Sequence, residues 1–307
     1  MASPTATVAA APPLPAWALW AGLMGVGVCW GMTQIFMKTA MAGGFHPLGA
    51  ALWQAGVGAL VAGAALAWRG GRMPWTLGHW VFFAACGLLG TALPASLSFA
   101  SIVHLPVGVQ ALVISTVPLM TVALALPMGL ERVGPRRLGG LLLGLLGVAM
   151  IVLPESSLPG AGQIWWVALP VLSALSYATE NVVIDRFRPP GTEALQIGCG
   201  LLACATLMLI PPVVVLDLAV WPADPSNWRA LADMLAVTLF NIVSYLGFVW
   251  LIGHAGPVFA SQVGYVVTAT GVVTGMLFLG ERHAWGIWVA MALLFAGIAL
   301  VSPRRAP

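Results

Sequence analysis

Charge is scarce in this chain. Of 307 residues, 12 are Lys or Arg and 9 are Asp or Glu, 7% in all, against 60% hydrophobic residues and 36 glycines. A soluble domain carries roughly a quarter charged residues and about half apolar ones, so too little polar surface is available here to face water. Soluble folds, disorder and a nucleic-acid-binding domain, which needs a basic face, are excluded. Cysteine is sparse as well: Cys29, Cys86, Cys199 and Cys204 sit inside apolar runs and form no C-x-x-C. They read as small packing residues, and no metal or cofactor is implied. Also missing are G-x-S-x-G, H-E-x-x-H, paired aspartates within apolar spans, and a phosphate-binding glycine loop ahead of a helix. Those absences speak against the main rival reading, a membrane-embedded enzyme. No ring or repeated loop points to a channel filter. The start, MASPTATVAAAPPLPA, lacks a basic n-region, and its prolines oppose an apolar helix. Residues 1–16 are therefore expected to form a disordered tail that is not cleaved.

What is present is a series of long apolar runs. A bilayer-crossing helix needs roughly 20 mainly apolar residues. Cutting at charges, Gly/Pro clusters and Trp-flanked ends gives ten spans, about 17–38, 48–68, 79–103, 107–129, 136–153, 164–184, 193–216, 230–253, 257–280 and 284–302. Lys and Arg in short loops set orientation. With a cytoplasmic N-terminus, Arg69, Arg72, Arg132, Arg136, Arg137, Arg186, Arg188, Arg304 and Arg305 lie inside, and Lys38, Arg229 and Arg282 outside. Both termini are then cytoplasmic. Trp17, Trp75, Trp80, Trp165, Trp166, Trp221 and Trp285 fall near span ends, where interfacial belts place them.

Two stretches echo each other at one offset. His104/His254, Glu131/Glu281, Arg132/Arg282, Gly147/Gly297 and Ala149/Ala299 are each 150 residues apart. An ionic pair recurring at the same helix junction, with a histidine at the same distance before it, is more than shared composition. Five spans per copy put the two copies, 17–153 and 164–302, into the membrane in opposite orientations. The expected fold is an all-α membrane protein of ten transmembrane helices in two inverted five-helix repeats. Secondary transporters commonly use that architecture, with substrate held near the midplane between repeats. A non-transporting scaffold has no need of two interchangeable halves.

The first copy shows Trp30-Gly31 with Lys38 eight residues on, then Val117-Pro118-Leu119, Leu130-Glu131-Arg132 and the glycines from Gly139 to Gly147. The second shows Gly280-Glu281-Arg282, Gly286 and Ala296-Gly297. In the order and spacing of these motifs, residues 17–302 resemble the EamA-type branch of the drug/metabolite transporter superfamily. The resemblance implies a multi-pass protein of the cell membrane exporting small metabolites. Bacterial amino acid exporters of that branch, YddG-like aromatic amino acid exporters among them, are the nearest functional likeness. There are departures. Tyr177-Ala178 stands where Trp opens a copy, Asp185-Arg186 where a lone basic residue ends the helix, and Thr268 where Pro118 has its match.

Polar groups inside a bilayer are costly and usually face a protein interior or a cavity. Trp30–Gln34, Tyr177–Asn181 and Asn241–Tyr245 are i, i+4 pairs, and Gln262–Tyr265 is an i, i+3 pair. Each joins an aromatic ring to a hydrogen-bonding group on one helix face. With Gln54 and Ser98 they form the candidate substrate site, suited to an amphipathic solute such as a neutral or aromatic amino acid. For each residue alone, an interhelical hydrogen bond is the competing reading. Glu180 and Lys38 are the ionisable groups placed within spans, hence candidate coupling residues. For Glu180 an ion pair with Arg186 or Arg188 near its span end is the favoured account, and for Lys38 snorkelling is. His104 and His254 at span ends read as interfacial. Pro94, Pro118 and Pro170 are candidate hinges. The implied partners are a small-molecule substrate and the lipid bilayer, with a monomer as the expected state.

Overall fold

The computed structural model of the chain describes residues 14–102, 104–105, 113–132, 134–152, 164–222, 224, 226–279 and 285–303. Among the described residues the fold is helical, without strands. In order the helices are α1 (Ala16–Ala42), α2 (Pro47–Trp68) and α3 (Leu77–Gly87), which runs through a π-helical turn (Leu88–Ala92) into α4 (Leu93–Ile102). There follow α5 (Val117–Ala125), α6 (Pro135–Val152), a 3₁₀ turn (Ile164–Val167) leading into α7 (Ala168–Phe187), and α8 (Ala194–Val215). The last four are α9 (Trp228–Ala255), α10 (Pro257–Ser261), α11 (Val263–Leu279) and α12 (Gly286–Leu300).

Helices are what the composition demands, because in lipid the backbone must satisfy its own hydrogen bonds. Their ends carry local signals. Between α1 and α2 the chain turns through Gly44, whose φ of 102° suits glycine. The α2 helix opens with Pro47, where the missing N–H costs nothing, and the His46 ring accepts from the Leu48 amide. A capping box of Glu193 and Gln196 opens α8.

Among the described residues, seven stretches are long and apolar enough to cross a bilayer: Ala16–Ala42, Pro47–Trp68, Leu77–Leu97, Trp165–Phe187, Ala194–Val215, Trp228–Ala255 and Pro257–Phe278. Gly286–Leu300 is apolar but shorter. The outward faces carry Leu207, Val214, Leu239, Val243, Leu277 and Phe278, all exposed, which fits a lipid environment rather than water. Trp17, Trp75, Trp165, Trp221 and Trp285 are exposed at helix ends, as belts require.

The two halves of the sequence interlock. The α1 helix packs on α9 and α11, α2 on α8, and α4 and α5 on α7, so each first-half helix seats against second-half partners. The α6 and α12 helices pair along a glycine seam. A Cβ on Gly147 would lie 2.7 Å from the Ala290 carbonyl oxygen, and one on Gly297 2.5 Å from the Gly144 nitrogen. The repeated Glu-Arg junction resolves differently from its sequence pattern. Glu131 is buried and paired at 2.7 Å with Arg137 in the first turn of α6, while Arg132 is exposed. Glu281 and Arg282 lie outside the described residues.

Candidate functional site

The geometry begins with a proline. Pro94 has no N–H, and in an α-helix its ring would clash with the carbonyl four residues earlier, that of Gly90. The helix avoids this by widening to a π turn at Leu88–Ala92, where the Leu93 amide bonds the Leu88 carbonyl five residues back. The next bond in that register would run from residue 94 to Leu89, and proline cannot donate it. Ser176 on α7 replaces it, its hydroxyl donating to the Leu89 carbonyl at 2.8 Å. π turns inside helices recur at functional sites.

Against this turn sits Glu180, 3% exposed. A Cβ on Gly90 would overlap its Oε1, so only glycine leaves the carboxyl its place. The Tyr245 hydroxyl of α9 donates to Oε1 at 2.7 Å. This corrects the ion pair expected from sequence. Arg186 is exposed, and Arg188 donates instead to the Thr192 carbonyl in the loop after α7. The physical reason lies in helix rotation: at about 100° per residue, positions 180 and 186 are separated by about 240° and face different directions.

Other predicted residues meet across the two repeats. Asn241 of α9 donates to Gln54 Oε1 of α2 at 3.4 Å, and Asn181 of α7 donates to the Thr121 hydroxyl of α5 at 3.2 Å. Trp30 of α1 is half-buried and meets Phe248 of α9 edge-on at 5.6 Å. Phe248 in turn lies 6.5 Å from the Tyr245 ring. Tyr177 is half-buried on α7 one turn before Asn181.

The rest lie elsewhere. Tyr265 is buried against Gly144, its hydroxyl donating to the Leu141 carbonyl of α6 at 3.0 Å. Gln262 is buried, its Nε2 reaching the Phe259 carbonyl at 3.5 Å and its Oε1 without a partner among the described residues. Gln34 and Lys38 are exposed on α1, and the Ser98 side chain lies outside the described residues. Of the three prolines, Pro94 alone interrupts a helix. Pro118 and Pro170 fall in the first turns of α5 and α7, where a missing N–H is tolerated.

Gly90 escaped the reading of polar residues because it has no side chain. The signal was present as Gly90-Thr-Ala-Leu-Pro94, a glycine at the position whose carbonyl a proline evicts. Among the described residues no group of three or more His, Cys, Asp or Glu is placed to hold a metal ion. An apolar groove of about 420 Å³ is lined by Trp20, Met24, Phe295, Ile298 and Ala299, and one of about 260 Å³ by Thr39, Asn227, Arg229 and Asp233 among others. Neither is lined by a candidate substrate-site or coupling residue.

The EamA-like transporter family matches residues 16–153 and 164–302, one match to each half. The chain is 27% identical over 296 residues to the uncharacterized inner membrane transporter YedA of Escherichia coli K12, covering 92% of this chain and 90% of that one. It is 26% identical over 286 residues to Protein PecM of Dickeya dadantii, covering 89% and 88%. It is also 26% identical over 227 residues to a probable terminal-alkyne amino-acid exporter of Streptantibioticus cattleyicolor, covering 72% of each. A chain of known crystal structure superposes with a TM-score of 0.76 at 19% identity, covering 92% of this chain and 98% of that one, a likeness of fold.

Proposed function

Since the chain belongs to the EamA-like transporter family and is a multi-pass protein of the inner membrane, we propose that it exports small organic metabolites, foremost neutral or aromatic amino acids, by alternating access. In this reading ten helices cross the bilayer as two inverted repeats, both termini are cytoplasmic, and the protein acts as a monomer. It is a transporter of the EamA type, and two of the relatives above are named as a transporter and an exporter, which fits a non-enzymatic role.

One observation carries the proposal. Three polar side chains of the second repeat bond to groups of the first. Asn241 reaches Gln54, Asn181 reaches Thr121, and Ser176 reaches the Leu89 carbonyl. Bonds of this kind in lipid are weak, about 0.6 kcal/mol on average. They can therefore be exchanged for bonds to a solute when the repeats separate, which suits a midplane substrate site between inverted repeats. The aromatic rings of Trp30, Tyr245 and Phe248 beside them suit an apolar or aromatic side chain. The choice of amino acids is supported by the relative named as a probable amino-acid exporter. Glu180 is the proposed coupling residue, with Lys38 as a second candidate.

Counterflow of a labelled amino acid panel into liposomes holding the purified protein, with and without a pH gradient, tests the reading. Movement of at least one amino acid is expected, cut by Asn241→Ala without loss of insertion. If no small solute moves, the transporter proposal is refuted; if flux ignores pH, proton coupling through Glu180 is dropped.

A further inference from the structure

We propose that the crevice formed by Glu180, Tyr245 and the π turn at Gly90 is the subsite for the ammonium group of the transported solute, with Trp30 and Phe248 beside it receiving the solute's apolar part. The inference rests on the transporter reading and names the chemistry of its substrate.

Depth is the first ground. Gly90 is at the middle of the continuous helix 77–102, about 19 Å of rise from either end. The carboxyl that packs on it is therefore near the bilayer midplane rather than at an interface where water could reach it. At that depth a carboxyl is either neutral with its proton or ionised against a positive partner, so an arriving ammonium can take the proton's place.

Charge balance is the second. Among the described residues no Lys, Arg or His pairs with Glu180; the buried arginine of the bundle, Arg137, is engaged by Glu131. The titratable groups that face Glu180 are Tyr245 from α9, Cys86 from α3 with Cys204 of α8 behind it, and Tyr177 on its own helix. All are hydroxyls or thiols, none a cation. The hydrogen bond from Tyr245 satisfies one lone pair and supplies no charge.

The third ground is the shape and type of the donor set. One carboxylate, two hydroxyls (Tyr245 and Ser176) and the Leu89 carbonyl freed by Pro94 converge at the π turn. These are acceptors for the three N–H groups of a primary ammonium. With one carboxyl and, among the described residues, no cluster of three His, Cys, Asp or Glu, the set is poor for a divalent metal ion. The adjoining Trp30–Phe248 edge contact offers ring faces, which attract ammonium groups and take up apolar side chains. In the state described here Glu180 is covered, so the solute gains access when the repeats part and the Tyr245 hydroxyl yields its place.

The test uses three probes sharing one ring: L-phenylalanine, phenethylamine, which keeps only the ammonium, and 3-phenylpropionate, which keeps only the carboxylate. Binding to the purified full chain is read by calorimetry and by inhibition of amino acid counterflow. Phenethylamine should bind the wild type and 3-phenylpropionate should not. Glu180→Gln should weaken phenethylamine by about tenfold to a hundredfold, the scale of a lost charged hydrogen bond. Gly90→Ala should do likewise by displacing the carboxyl, and Tyr245→Phe should change it only a few-fold. Failure of phenethylamine to bind the wild type, or equal binding to Glu180→Gln, overturns the assignment. The comparison of amine with acid on the wild type holds even if a variant fails to fold. An amino acid that is transported while the amine competes equally with wild type and Glu180→Gln sinks this subsite alone. A wild type that moves no solute sinks the transporter reading.

Discussion

Gly147→Ala and Gly25→Ala form a matched pair of perturbations. Both glycines lie inside long helices, Gly147 in α6 and Gly25 in α1, so replacing either with alanine gains the same helix propensity, about 1 kcal/mol. Their surroundings differ. A Cβ on Gly25 meets nothing within 4 Å. One on Gly147 lies 2.7 Å from the Ala290 carbonyl oxygen, 2.9 Å from the Leu294 nitrogen and 3.0 Å from the Leu294 Cβ. Two of those three atoms are backbone, so no side chain can swing aside. The α6 and α12 helices must separate by roughly 1 Å to restore ordinary contact, at an overpacking cost of about 1–3 kcal/mol. Propensity cancels in the difference, so Gly147→Ala should be less stable than Gly25→Ala by about 1–3 kcal/mol. Reversible unfolding in mixed micelles, followed by circular dichroism against denaturing detergent, reads that difference directly. Because α6 and α12 lie to one side of the Glu180 cluster, solute preference should be unchanged in both variants. Equal stability of the pair would refute the tight seam, and altered preference in Gly147→Ala would refute its separation from the site.

Two further outcomes follow from local geometry. Pro94→Ala gives residue 94 an amide that can take the Leu89 carbonyl from Ser176 or close an α turn on Gly90, so thermal stability should hold or rise while solute flux falls; a loss of stability would contradict this account of the π turn. Burial lowers the pKa of His46 from the usual 6.5, and its neutral ring caps α2 by accepting from Leu48. The cap is therefore in place above the unfolded value and lost as pH falls through the lowered one. Exchange of the Leu48 amide, corrected for intrinsic rate, should quicken in acid below pH 6.5 while amides in the middle of α2 keep their protection.

Much of the fold is legible in the chain because bilayers impose few solutions. Scarce charge and long apolar runs dictate helices, Pro47 marks a helix start, and the recurrence at 150 residues reveals two copies before any contact is known. Pairings across the bundle were legible only as candidates. Asn181 and Asn241 stand out as polar groups in apolar spans, yet nothing along the chain says that one meets Thr121 and the other Gln54. Those partners are 60 and 187 residues away and are set by helix packing. The repeated doublet suggests a pairing of Glu131 with its neighbour Arg132, whereas the start of α6 brings Arg137 inward to Glu131. Tyr265 looked like one more pocket residue for the same reason that made it a good packing residue. A ring with a hydroxyl at its tip can fill the notch at Gly144 and still satisfy its polar end on a carbonyl.

The two copies share a path through the membrane but not a chemistry. At the spacing of 147 that relates Trp30 to Tyr177, Gln34 matches Asn181 and Thr33 matches Glu180. Thr33 is buried and turns its hydroxyl onto its own helix, donating to the Trp30 carbonyl at 2.6 Å. At the spacing of 150 that relates the two histidines, Gly90 matches Phe240 and Pro94 matches Ser244. Accordingly α9 runs 28 residues without a π turn, and the Phe240 ring stacks on Phe36 at 5.8 Å where the first copy leaves a gap for a carboxyl. A carboxyl moved to the other copy would meet a phenylalanine and an unbroken helix. The double substitution Glu180→Thr with Thr33→Glu should therefore fail to restore phenethylamine binding, although it conserves composition and exchanges symmetry-related positions. Restoration would mean that the repeat alone makes the site. Failure, with the variant still inserted and folded, would mean that the ammonium site needs the carboxyl of the second copy together with the broken helix of the first.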